Sequence, residues 1–134
     1  MSDDTTNHQR ALETMARAYA WPTVADGPGD FFRYTVDHLF GEIWSRPGLT
    51  NRDRRLLILG ALAGSGQLDV IPLQVDATLA NGELTADELR EIVIFLTHYV
   101  GWPRGAAFNN LVEDSIRKHK GAGTEQRIPI PDDK

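Results

Sequence analysis

Cysteine is absent from all 134 residues. That one absence removes disulfides, thiolate nucleophiles and cysteine-ligated metal sites together. Long apolar runs are absent as well. Nothing approaches the ~20 residues that cross a bilayer, so no membrane partner is expected. Positive charge is in deficit, with 14 Lys and Arg against 19 Asp and Glu and a formal charge of -5. Nucleic acid is therefore not an expected partner, because phosphate binding rests on clustered cations. The densest basic run, Arg52, Arg54 and Arg55, is interrupted by Asp53 and reads as a solvated helix start. No His/Asp/Glu spacing resembles a metal site. The opening MSDDTTNHQR is polar and acidic, unlike a signal peptide. These bounds describe a cytoplasmic chain with a single core.

What is present is helical. Residues 8–20 place Leu12, Met15, Ala16 and Tyr19 at i, i+3, i+4 and i+7. WPTVADGPGD, residues 21–30, is a loop rich in Pro and Gly. A second helix is expected from about Asp30 to Ser45, stopped by Pro47 and Gly48. Thr50 and Asp53 suit the start of a third, which is apolar all round from Leu56 to Ala63 and hence expected to be buried. A fourth helix, about 69–81, has Pro72 near its first turn and Gly82 at its end. Thr85 and Glu88 form a capping box for a fifth over 86–100, and Pro103 opens a sixth running to about Lys118. There is no internal repeat and no credible strand. The fold class is all-α, with about six helices. Its expected divisions are an N-terminal helix and loop (1–29), a helical domain (30–119) and a polar, Pro-broken tail (120–134), disordered alone or lying as an arm on a neighbour.

Three motifs stand in a recognisable order: FGEIWSRPGLTNRDRRLLILGAL, then LANGELTADELREIV, then HYVGWPRGAAF. Together, over roughly residues 30–118, they resemble the carboxymuconolactone decarboxylase family, most closely its 4-carboxymuconolactone decarboxylase branch. The resemblance implies a helical fold shared with alkyl hydroperoxidase D. It also implies a homo-oligomer, commonly a trimer or hexamer, with sites near subunit contacts. The implied activity is that of a carboxy-lyase of aromatic catabolism acting on a small carboxylated lactone or related organic acid, without a metal or organic cofactor. Family decarboxylases usually carry a glutamate and, four residues later, a histidine; those positions here are Val70 and Gln74. The Cys-x-x-Cys pair of the peroxidase branch would fall near Gln67 and Val70, and without cysteine a thiol peroxidase is excluded. The alternative to a lyase is a non-catalytic member that binds a small molecule or serves as a scaffold.

Loss of carbon dioxide needs a cation for a carboxylate, donors for the developing oxyanion and an acid to protonate carbon. Arg46 reads either as that cation or as a helix-end charge that satisfies carbonyls. Gln74, beside the apolar stripe of its helix, is either a catalytic donor or a polar group bonded to nearby backbone. His98, in IVIFLTHYVG, is either structural or the catalytic acid–base group, titrating near neutrality. Trp44, Tyr99 and Trp102 are candidate substrate contacts, with burial in the core or at an interface as the competing role. If the family fold holds, Arg46 and His98 border one cavity, with Gln74 facing it from a third helix.

Overall fold

The computed structural model describes residues 3–120. The expected tail lies, beyond residue 120, outside the described residues. Those residues contain six α-helices, a π-helical stretch and a 3-10 turn, with no strand among them. The chain divides after Arg54 into two compact units, each with its own core.

In the first unit, α1 (Asp3–Tyr19) begins well before residue 8 and packs on a second helical segment. That segment starts as α2 (Asp30–Arg33) and continues as a π-helix, Tyr34–Ile43. The expected single helix over 30–45 is thus largely wound with i→i−5 bonds, ending at Trp44 N–H to Leu39 C=O, 2.8 Å. Side-chain periodicity does not distinguish this winding from the α form, because both present one apolar face. The buried face carries Val36 and Phe40, and Ala11 and Leu12 of α1 pack in the same small core with Val36. Gly41 lets Ala11 approach closely, since a Cβ there would lie 3.0 Å from the Ala11 methyl.

A capping box opens α3 (Asn51–Ser65) as its sequence suggests. Asp53 N–H donates to Thr50 Oγ1 at 3.1 Å, and Thr50 N–H to Asp53 Oδ2 at 3.3 Å. Two expectations fail on this helix. Only the stripe Arg55, Leu59, Ala63 is buried, and Leu57 is 62% exposed, so the helix is not buried all round. Arg55, read as part of a solvated basic start, is fully buried. A 3-10 turn (Leu68–Val70) leads into α4 (Ile71–Asn81), which ends on left-handed Gly82. The Thr85/Glu88 capping box starts α5 (Ala86–Val100), and α6 (Trp102–Lys120) follows across Gly101. In this second unit α6 packs on both α4 and α5 around a core of Leu59, Val75, Leu89 and Phe108. The α5–α6 contact is close at Gly105, where a Cβ would stand 2.2 Å from Thr97 Oγ1. Arg90 on α5 grips the buried Glu113 of α6 through two hydrogen bonds of 2.9 and 3.0 Å. Hydrogen bonding to Glu113 raises the Arg90 pKa against the opposing effect of burial.

Candidate active site

His98 and Trp102 sit four residues apart across the α5–α6 junction and meet edge to face, with ring centroids 5.5 Å apart. They line a pocket of about 130 Å³ together with Val93, Ile94, Thr97, Gly105, Ala106 and Asn109. The His98 Nδ1 lies 2.7 Å from the Ile94 carbonyl oxygen. A carbonyl only accepts, so Nδ1 carries a hydrogen and Nε2 is left to exchange a proton. An exposed imidazole with one nitrogen tethered and the other free, against an apolar wall and an indole edge, is equipped for acid–base work on a small molecule. Thr97 does not compete for that proton, because its hydroxyl donates to Val93 C=O at 2.7 Å. Tyr99 is exposed outside this pocket and packs on Phe95, 5.2 Å between ring centroids.

Gln74 belongs to a different cluster and is not among the residues lining the His98 pocket. It is 8% exposed on α4, and its Oε1 accepts from Arg55 Nη1 at 2.6 Å. Arg55 also donates from Nε and Nη2 to the two oxygens of Glu83, at 2.8 and 3.4 Å. The Gln74 side chain therefore bonds a buried cation rather than backbone. Val70, at the position where the family usually has glutamate, is exposed at the end of the 3-10 turn.

Trp44 and Arg46 lie in the first unit. Trp44 caps the π-helix and stacks on Phe40, with centroids 5.7 Å apart. Arg46 is exposed, and its side chain has no bonded partner among the described residues. The loop after the helix is instead tied by Arg54, whose guanidinium donates to the Leu49 carbonyl and, at 2.8 Å, to the Arg46 carbonyl. The same unit holds a polar cleft of about 850 Å³ bordered by Arg10, Arg17, Arg33, Asp37 and Glu42. Beside it, His8 bridges Asp37 (2.5 Å) and Asp26 (3.0 Å), and hydrogen bonding to Asp37, then Asp26, raises its pKa. Among the described residues no group of His, Asp or Glu is arranged to hold a metal ion, and none of the helices could cross a membrane.

Sequence reasoning missed Arg55, Glu83 and His8. A signal for Arg55 was available: it falls four residues before Leu59 and eight before Ala63, on the one stripe of α3 that is buried. The bridge made by His8 had none, since its partners are 18 and 29 residues away.

The family model for the carboxymuconolactone decarboxylase family matches residues 29–114. The chain belongs to that family. It is 33% identical over 88 residues to a 4-carboxymuconolactone decarboxylase of Acinetobacter baylyi, covering 66% of this chain and 65% of that protein. It is 36% identical over 64 residues to a nitrosuccinic acid decarboxylase of Metarhizium robertsii, covering 48% of this chain and 44% of that protein. The chain thus matches less than two thirds of the length of either relative. No solved structure matches it significantly. Both relatives are named as decarboxylases.

Proposed function

We propose that this chain is a carboxy-lyase for a small organic acid, such as a carboxylated unsaturated lactone, and that His98 delivers the proton. The carrying observation is the His98 imidazole, tied through Nδ1 to Ile94 C=O with Nε2 free beside Trp102. As the carbon–carboxyl bond breaks, carbon dioxide leaves and the electron pair spreads into the ring and its carbonyl. The Nε2–H proton then passes to carbon, and solvent reprotonates the imidazole. The chemistry named for the two relatives favours this reading. A carboxylated lactone and a nitro-substituted diacid both leave a carbanion that oxygen atoms can share. Trp102 offers an apolar wall to the ring. Arg46 is proposed as a carboxylate-binding group, because its guanidinium is exposed and has no bonded partner among the described residues. Self-association of the chain, as a trimer or hexamer, belongs to the same proposal.

The test is consumption of 4-carboxymuconolactone with carbon dioxide release. Replacing a positioned acid typically costs about 10²–10⁴-fold in rate. His98→Gln is expected to lose turnover on that scale while still binding the lactone, because the acid acts mainly in the transition state. Unchanged turnover in His98→Gln overturns the assignment. A second reading, a member that binds but does not turn over its acid, is favoured by Val70, which cannot exchange a proton at the usual glutamate position. Wild-type protein that binds the lactone without consuming it would select that reading.

A further inference from the structure

The groove that holds His98 and Trp102 lies along the α5–α6 hairpin, and its two ends differ. Thr97 meets Gly105 and Arg90 meets Glu113, so the helices run antiparallel and Asn109 falls level with Val93. A rise of about 1.5 Å per residue sets Asn109 about 10 Å along α6 from Trp102. The Trp102 end is open, with that indole 63% exposed. At the inner end Val93 and Gly105 are buried, and Ala106 and Asn109 are half-buried. No arginine or lysine lines the groove. The two nearest in sequence are committed elsewhere, Arg90 to Glu113 and Arg104 to the Gly64 carbonyl. A carboxylate can only accept, and the Thr97 hydroxyl already gives its proton to Val93 C=O. The donor left at the inner end is the neutral Asn109 amide. Its Nδ2 makes a long bond of 3.4 Å to Asn110 Oδ1, which a ligand oxygen can outcompete. A carboxylate without a cation is costly to desolvate, whereas a neutral carbonyl needs only a hydrogen bond. The groove's volume of about 130 Å³ suits one small ring, since an apolar cavity of about 150 Å³ takes benzene.

We propose that this groove is a socket for the uncharged end of a one-ring acid, and that Asn109 is the specificity-determining residue at its floor. The ring enters carbonyl first, and the Asn109 amide donates to that carbonyl oxygen. The carboxylate stays in water at the His98–Trp102 mouth. A ring with charge at both ends is turned away. The choice of an acid as ligand rests on the carboxy-lyase reading; the exclusion of charge from the inner end does not.

Three saturated five-membered rings test this: 5-oxotetrahydrofuran-2-carboxylate, tetrahydrofuran-2-carboxylate and tetrahydrofuran-2,5-dicarboxylate. They share one carboxylate and differ across the ring, where they carry a carbonyl, only hydrogen or a second charge. Affinities come from titrating ¹⁵N-labelled protein, following the Trp102 indole N–H and the Asn109 side-chain N–H pair. The oxo acid is expected to move both saturably. The unsubstituted ring should bind about fivefold more weakly and the diacid at least about tenfold more weakly. Asn109→Leu keeps the bulk without an N–H, and should erase the preference for the carbonyl. A merely structural asparagine would change stability and leave the order of the rings alone. If no ring binds, if the diacid binds like the oxo acid, or if Asn109→Leu keeps the carbonyl preference, the socket is overturned, even where 4-carboxymuconolactone is consumed. If the order holds and that lactone is not consumed, the socket stands and the carboxy-lyase reading falls. Should Asn109→Leu fail to fold, Asn109→Ala is judged by the same comparison, and failing both, the wild-type order and the Asn109 shift decide.

Discussion

A charged side chain has different value according to what surrounds it, and the arginines of this chain span that range. Arg46 is exposed and has no side-chain partner among the described residues, so the carboxylate contact proposed for it is screened by water. Exposed ion pairs contribute about 0–1 kcal/mol, which limits Arg46→Ala to roughly a fivefold loss of affinity for the acid by calorimetry. A loss of a hundredfold or more would show that Arg46 is desolvated when ligand binds. His8 supplies a pH dependence of known sign. Its pKa is raised in the folded chain above the ordinary value of about 6.5, chiefly by the Asp37 hydrogen bond. The folded state thus holds its proton more tightly than the unfolded state, and the stabilisation is complete below about pH 6.5. It disappears as pH rises through the raised folded value. Melting of the wild type and of His8→Gln should therefore differ most at mildly acid pH and converge at alkaline pH. A difference that grows with pH contradicts the bridge. Of the candidate side chains read from the chain, only His98 and Trp102 line one pocket; Gln74 and Tyr99 lie outside it. His98 and Trp102 fall at i, i+4 spacing and do share a pocket. Arg55 was misjudged because a run of arginines looks solvated until its place on the Leu59–Ala63 stripe is weighed.

Whole elements are set by their ends and by the faces they bury. Thr85 with Glu88, and Gly101, are local signals for the start and stop of α5, and the structure has them where the pattern puts them. The extension of α1 back to Asp3 was not legible, since Asp and Thr are weak helix formers. Acidic residues near a helix start nonetheless interact favourably with its dipole. The i→i−5 winding of Tyr34–Ile43 left no trace in the sequence pattern. Between α5 and α6 the spacing is controlled by Gly105. An added methyl would meet the Thr97 side chain at 2.2 to 2.7 Å and displace a hydroxyl already bonded to Val93 C=O. Overpacking of this kind costs typically about 1–3 kcal/mol. Gly105→Ala should lower the denaturant midpoint accordingly and also perturb His98, which lines the same pocket. An alanine variant as stable as the wild type would mean that the two helices part without penalty.

For the molecule as a whole, the family motifs conveyed the helical class and the order of helices. They did not convey the division after Arg54, because a helix that runs through a boundary carries no mark of it in its own pattern. In the second unit Ile94, Phe95, Tyr99 and Trp102 are exposed around the end of α5 and the start of α6. Large side chains gathered in this way usually mark an interaction surface. With a second copy as the proposed occupant, light scattering should return a multiple of the 14.9 kDa chain mass at micromolar concentration. Phe95→Glu with Tyr99→Glu should shift that mass downward. A single-chain mass for the wild type removes the proposal.

The Arg104 contact has a consequence for the time course of folding. Its guanidinium donates to the Gly64 carbonyl at 2.8 Å, joining the end of α3 to the start of α6 across 40 residues of chain. The α5–α6 hairpin closes over one glycine, whereas this link must wait until α4 and α5 have docked between its ends. Contacts of long sequence separation carry the greater loop-closure cost and tend to form late. In a φ-value comparison, Arg104→Ala is expected to accelerate unfolding with a φ near 0, and truncation of Val93 or Phe108 to slow folding, with φ of about 0.5 or more. The reverse ranking would mean that α3 is stitched to α6 before the hairpin is complete, and that this second unit closes from its ends inward.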